Sequence, residues 1–151
     1  MVGIDLGDTD EAPAKHFTVE EANGTLPYVR RIIGDIMDEY ARWRDGIFKY
    51  EVLSAEVKAD EGESDEQVAL RDNVETIAQR INALIEELAQ VGCVFKGFDD
   101  GLVDFRSTLD GRDIYLCWKF GEPEIQFWHE LDSGFASRQE LAKQLVDGGS
   151  S

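Results

Sequence analysis

Residues 102–130 read LVDFRSTLDGRDIYLCWKFGEPEIQFWHE, and the fold turns on how this stretch doubles back on itself. Apolar and polar residues alternate along it, the period of a half-buried strand. Two turn signals, Asp110-Gly111 and Gly121-Glu122-Pro123, cut it into three, which predicts a β-meander with strands over about 102–107, 112–120 and 124–130. Asp-Gly favours a two-residue turn whose central residues both take positive φ. With that turn, Leu109 faces Arg112, Phe105 faces Leu116 and Val103 faces Trp118. Reading Gly121-Glu122 as a second two-residue turn sets Trp118 against Ile125, Leu116 against Phe127 and Ile114 against His129, whereas a slip of one residue sets Trp118 against Gln126.

The unslipped register predicts an apolar face of Val103, Phe105, Ile114, Leu116, Trp118, Ile125 and Phe127, with His129 at its end. The opposite face then carries three cross-strand rows: Leu102, Lys119 and Glu124; Asp104, Cys117 and Gln126; Arg106, Tyr115 and Trp128.

Outward from the meander the period becomes helical. Thr18 and Glu21 form a capping box that opens a short helix stopping near Asn23-Gly24, and Pro27 sits in the first turn of the next. Leu26, Val29, Ile32, Ile33, Ile36, Met37, Tyr40 and Trp43 form one stripe of a long helix that runs toward Val57 and is weakened at Asp45-Gly46. Ser64 and Gln67 form a second capping box, followed by Val74, Ile77, Ile81, Leu84, Leu88 and Val91 at heptad spacing, with Gly92 placed as a left-handed cap. A rod of this length, roughly 39 Å, can lie along the first helix.

Ser137 reads as the cap of a terminal helix over 139–146, with Phe135 plugging the edge of the core. The expected fold is therefore α+β, a long antiparallel helical hairpin on a three-stranded antiparallel meander with short helices at both ends. It forms a single domain over 16–146, between a flexible acidic arm at 1–15 and a flexible tail at 147–151.

The 15 basic residues face 32 acidic ones, a net charge of −17, which disfavours nucleic acid and anionic membrane as partners because both demand a basic surface. With no secretory leader or membrane span in the sequence, the expected location is cytoplasmic. The two cysteines, Cys93 and Cys117, are too few for a disulfide framework and read as buried reduced thiols.

Two patterns suggest chemistry. On the polar sheet face Arg106, Tyr115, Lys119, Glu124 and Trp128, joined by Arg138, combine aromatic anchors with the positive charge an anionic ligand or acidic peptide would need. The second, His129-Glu130-Leu131-Asp132, offers histidine and carboxylates of the kind that bind metals or carry protons. His129 and Glu130, being adjacent on a strand, diverge, so a shared centre would form beyond the strand end, and a structural histidine bonded to backbone or to Asp132 is the alternative. No metalloprotease, nucleophile-elbow, P-loop or dinucleotide motif is present, so no cofactor is implied and enzyme activity is left open.

Phe17-Thr18-Val19-Glu20-Glu21-Ala22-Asn23 with Leu26-Pro27, LVDF at 102–105, YLCW at 115–118, GEP at 121–123, Trp128-His129 and GFASR at 134–138 together resemble a bacterial family catalogued as a domain of unknown function, family 2203 of that catalogue. The resemblance runs from about Lys15 to Leu141 and implies a cytoplasmic helical-hairpin-plus-sheet protein, without an activity, cofactor or substrate. The favoured expectation is a non-catalytic binding or interaction module, whose seam closes on its own hairpin or pairs with a second chain as a homodimer. The alternative is a small metal-binding protein or hydrolase built on His129 with Asp104, Glu124, Glu130 and Asp132.

Overall fold

The computed structural model describes residues 15–57 and 61–141. The expected arm over 1–15, apart from Lys15, and the expected tail over 147–151 lie outside the described residues. In chain order the elements are α1 (Val19–Ala55), α2 (Asp65–Val91), β1 (Val94–Gly97), β2 (Leu102–Leu109), β3 (Arg112–Lys119), β4 (Phe127–Glu130), a 3-10 turn (Phe135–Ser137) and β5 (Gln139–Glu140).

Both capping boxes form. The Thr18 hydroxyl accepts from the Glu21 amide while the Glu21 carboxylate accepts from the Thr18 amide, and Ser64 and Gln67 repeat the exchange. Gly92, at φ 109, ends α2 in the left-handed conformation that favours glycine. The expected break at Asn23-Gly24 does not occur, and α1 runs unbroken through Pro27. Ala22, Leu26 and Val29 on either side of it are buried, so packing of the apolar stripe overrides the local helix-breaking signal.

The helices lie antiparallel, since their contacts descend in order: Tyr28 with Glu87, Glu39 with Arg80, Gly46 with Val74 and Ser54 with Gln67. Helix α1 also continues past Asp45-Gly46. Gly46 is a packing residue there, because a Cβ at this position would stand 2.8 Å from Val74 Cγ2. Val74, Ile77, Ile81 and Leu88 of the heptad seam are buried within the chain itself.

The sheet has five antiparallel strands in the order β1-β2-β3-β4-β5, two more than expected. The added edges are short, and β1 pairs irregularly with β2. Gln139 and Glu140, expected to open a helix, pair instead with Trp128 and Phe127, and the Leu141 amide donates to the Gln126 carbonyl. The remainder of that expected helix lies outside the described residues. Ahead of α1, the Phe17 amide donates to the Arg106 carbonyl and Ser107 Oγ donates to the Phe17 carbonyl, which ties the helix entry to β2.

The β2–β3 register is as predicted, from Leu109 with Arg112 to Val103 with Trp118, around Asp110 at φ 52 and Gly111 at φ 79. The β3–β4 register is slipped by one residue: Leu116 pairs with Trp128, Tyr115 with His129 and Cys117 with Phe127. The turn closes earlier than expected, with the Glu122 amide donating to the Lys119 carbonyl. Pro123 has no amide to pair, and the Ile125 amide is diverted to Asn23 Oδ1 on α1 at 2.7 Å. The stretch from Phe120 to Gln126 is thus a loop pinned to the helix, and β4 starts only at Phe127.

A shift of one residue exchanges the faces of β4. Trp128 joins Trp118, Leu116, Phe105 and Val103 against Leu26, Val29, Ile33, Ile36, Ile77, Ile81 and Leu88 in the core. Phe127 and His129 move to the reverse face.

Candidate metal centre

On the reverse face the slipped register builds a polar cluster no single segment contains. Strand β2 supplies Asp104, β3 supplies Cys117 as its direct cross-strand partner, and β4 supplies His129, beside Tyr115 and diagonal to Cys117. All three are closed from solvent, at 4%, 1% and 2% exposure. One ligating atom from each, a carboxylate oxygen, a thiol sulfur and an imidazole nitrogen, lies within 4.8 Å of the other two. Among the described residues this is the group of three metal-ligand side chains that converges so closely.

The imidazole is held from both ends. Nε2 stands 3.1 and 3.2 Å from the two Asp104 carboxylate oxygens, and Nδ1 stands 2.8 Å from the Glu130 carbonyl oxygen. Carbonyl and carboxylate oxygens accept, so both ring nitrogens donate and the ring is an imidazolium. Burial pulls its pKa down, but the hydrogen bond to Asp104, aided by Cys117, the Asp104 charge and the Glu130 carbonyl, raises it to about 10. The Tyr115 ring lies 5.5 Å from the His129 ring, centre to centre.

The donor set fits a divalent ion of the zinc class. Tetrahedral ligation at about 2.0–2.3 Å would set donors about 3.3–3.8 Å apart, inside the 4.8 Å within which the three atoms already lie. Aspartate, thiolate and neutral histidine bring two negative charges, so a divalent ion leaves the buried centre neutral. The Nδ1 bond to the Glu130 carbonyl would serve as the outer-shell contact that fixes the tautomer of a ligating histidine, and Nε2 would give up its proton and its bond to Asp104 to meet the ion. Thiolate and imidazole favour zinc, cobalt and nickel over magnesium or calcium.

The residues predicted from the sequence fall in different places. Glu130 and Asp132 do not join His129: the Glu130 carboxylate pairs with Arg112 at 2.8 Å, and Asp132 is exposed in the turn after β4. Arg106 and Tyr115 stay together on the reverse face, the guanidinium 5.9 Å from the ring centre, but the expected third member of the row, Trp128, is buried in the core and His129 takes its place. Arg106 is engaged by Asp113 at 2.9 Å. Lys119 lies 5.7 Å over the Phe135 ring, and Glu124 is exposed in the pinned loop, where it lines a surface groove with Ile125 and Glu140. Arg138 pairs with Glu122 and is stacked between Phe127 and Phe135. Phe135, expected to plug the core, is 36% exposed and serves this stack.

Asp104 is one of the carboxylates grouped with His129 from the sequence, whereas Cys117 is a candidate donor that the sequence pattern does not single out. Both stood in the correct row; the misplaced second turn separated them from the histidine. The proline at 123, which cannot donate to a ladder, was the signal that this segment is a loop.

A family model described as "Uncharacterized conserved protein (DUF2203)" matches residues 15–141. The chain belongs to the DUF2203 family. The match spans every element described in this chain from α1 to β5, so all three candidate donors lie inside it. No curated protein and no solved structure matches this DUF2203 chain. No described helix is long and apolar enough to cross a membrane.

Proposed function

We propose that the protein is a non-catalytic metal-binding module that holds one divalent transition ion through Asp104, Cys117 and His129. The observation that carries this reading is the convergence of a carboxylate, a thiol and an imidazole within 4.8 Å at near-complete burial. Closure from solvent favours holding an ion over turning a substrate past it. Three protein donors would leave the fourth tetrahedral position to an enclosed water. The anionic-ligand reading has weaker support, because Arg106 and Arg138 are already neutralised by Asp113 and Glu122.

The test is metal content of untagged protein, followed by zinc titration after chelation. The expected result is one ion per chain and a raised melting temperature, both lost in a Cys117→Ser, His129→Ala double variant. Protein that carries no metal and shows no thermal shift with zinc, cobalt or nickel would overturn the proposal.

A second reading rests on Phe48 and Val52, one helical turn apart near the hairpin tip and 65% and 47% exposed. They support the interaction-module and homodimer expectation. Light scattering tests it: a concentration-dependent dimer abolished by Phe48→Glu supports it, and a monomer at every concentration removes it.

A further inference from the structure

We infer that Arg138 is the positioning residue of the metal centre, holding the Cys117 sulfur in place and tuning its bond to the ion; this rests on the metal-binding reading above. Arg138 Nη1 stands 4.0 Å from Cys117 Sγ. The guanidinium is fixed on every side. Its faces lie against the Phe127 ring at 4.0 Å and the Phe135 ring at 4.2 Å, and its fork grips the Glu122 carboxylate at 3.1 and 2.7 Å. Glu122 is itself anchored, its carboxylate accepting from the Lys119 amide at 2.8 Å and its carbonyl from Trp118 Nε1 at 3.1 Å. A rigid line therefore runs from the core tryptophan through Glu122 and Arg138 to the sulfur.

The chemistry follows from this placement. Glu122 cancels the arginine's charge, so Arg138 offers the sulfur a directed N–H without setting a net positive charge beside the ion. A hydrogen bond to a metal-bound thiolate withdraws electron density from sulfur, lowers the energy of its lone pair and keeps it oriented. Lysine cannot substitute, since it lacks the planar fork that grips Glu122 and the flat faces that stack between two rings.

Cobalt(II) is the probe, because its sulfur-to-metal charge-transfer band reports thiolate ligation directly. Arg138→Gln is expected to move that band to lower energy and to weaken cobalt binding by about 10- to 100-fold, the usual effect of losing an outer-shell partner. Arg138→Lys is expected to behave like Arg138→Gln. Phe135→Leu, which removes one stacking face while leaving Arg138, its Glu122 pair and the charge balance, is expected to shift the band in the same direction by less. It is the deciding variant should Arg138→Gln lose its native circular dichroism. Wild-type protein that binds cobalt, with folded variants of unchanged band and affinity, overturns the role of Arg138 alone. Wild-type protein without a sulfur-to-cobalt band overturns the metal centre itself.

Discussion

The two faces of the central strands are equally dry and held in opposite ways. On the helix side Trp118, Phe105, Leu116 and Trp128 are between 0% and 2% exposed, and they pack into the apolar cluster of the core. On the reverse side Asp104, Cys117 and His129 are between 1% and 4% exposed, and each meets a partner of opposite charge or complementary hydrogen-bonding character. The first face depends on volume, through area removed from water and close dispersion contact. The second depends on pairing, because a buried charge without its partner is costly whatever the packing. Low exposure alone therefore does not say what a position tolerates.

Truncation on the helix side should give the largest loss. Trp118→Ala, which removes the largest fully buried side chain, is expected to cost about 4 to 5 kcal/mol in urea denaturation. A loss under 1 kcal/mol would mean that the helices do not press on this face.

On the reverse side, Asp104→Ala in chelated, metal-free protein is expected to cost about 3 kcal/mol, since His129 loses its counter-charge. Replacing the pair together, Asp104→Val with His129→Leu, should cost less than the single change. That non-additivity is the signature of pairing, and a double variant that loses the sum of both singles would place the two faces in the same class.

The pH dependence sharpens the contrast further. His129 is raised to about 10 in the folded protein, above its ordinary value of about 6.5. The folded state therefore binds the extra proton, and the stabilisation is full below about pH 6.5 and declines as pH rises through about 10. The melting-temperature gap between metal-free wild type and Asp104→Ala should narrow across that window, while the gap to Trp118→Ala should stay level. A gap that widens with pH would mean the ring is neutral in the fold.

The smallest effect belongs to the half-exposed pair of Arg112 with Glu130, at the margin of both faces. Arg112→Ala is expected to change stability by less than about 1 kcal/mol, and less in high salt. A larger, salt-independent loss would point to its ring contact with Trp128, 5.6 Å away, as the operative interaction.

Where local chemistry dictates geometry, reading the residues was enough. Asp110-Gly111 permits the positive φ pair a tight hairpin needs, so the β2–β3 pairing followed residue by residue. The Thr18 and Ser64 capping boxes and the Gly92 cap were legible for the same reason, since each is completed by atoms within a few residues. The edge strands β1 and β5 were not, being too short to display a period. Of the site, His129 was visible as a titratable group, and Arg138 as a cation near the sheet. Asp104 was one of several carboxylates the sequence set beside His129, but its direct pairing with the ring and the part of Cys117 were not legible, because Asp104 and His129 are separated by 25 positions and meet only through two strand pairings.

The amino-acid sequence by itself determined the capped helical hairpin, the antiparallel meander, the first hairpin's register and the acidic surface, all consequences of short-range periodicity, turn stereochemistry and composition. Only the tertiary structure decided which face of β4 is apolar and which carries charge, through one hydrogen bond from the Ile125 amide to Asn23 on a distant helix and an early turn at Glu122. Side chains alternate along a strand, so a one-residue difference in a loop reverses every one of them. Here that reversal seats Trp128 in the core and brings His129 to Asp104 and Cys117.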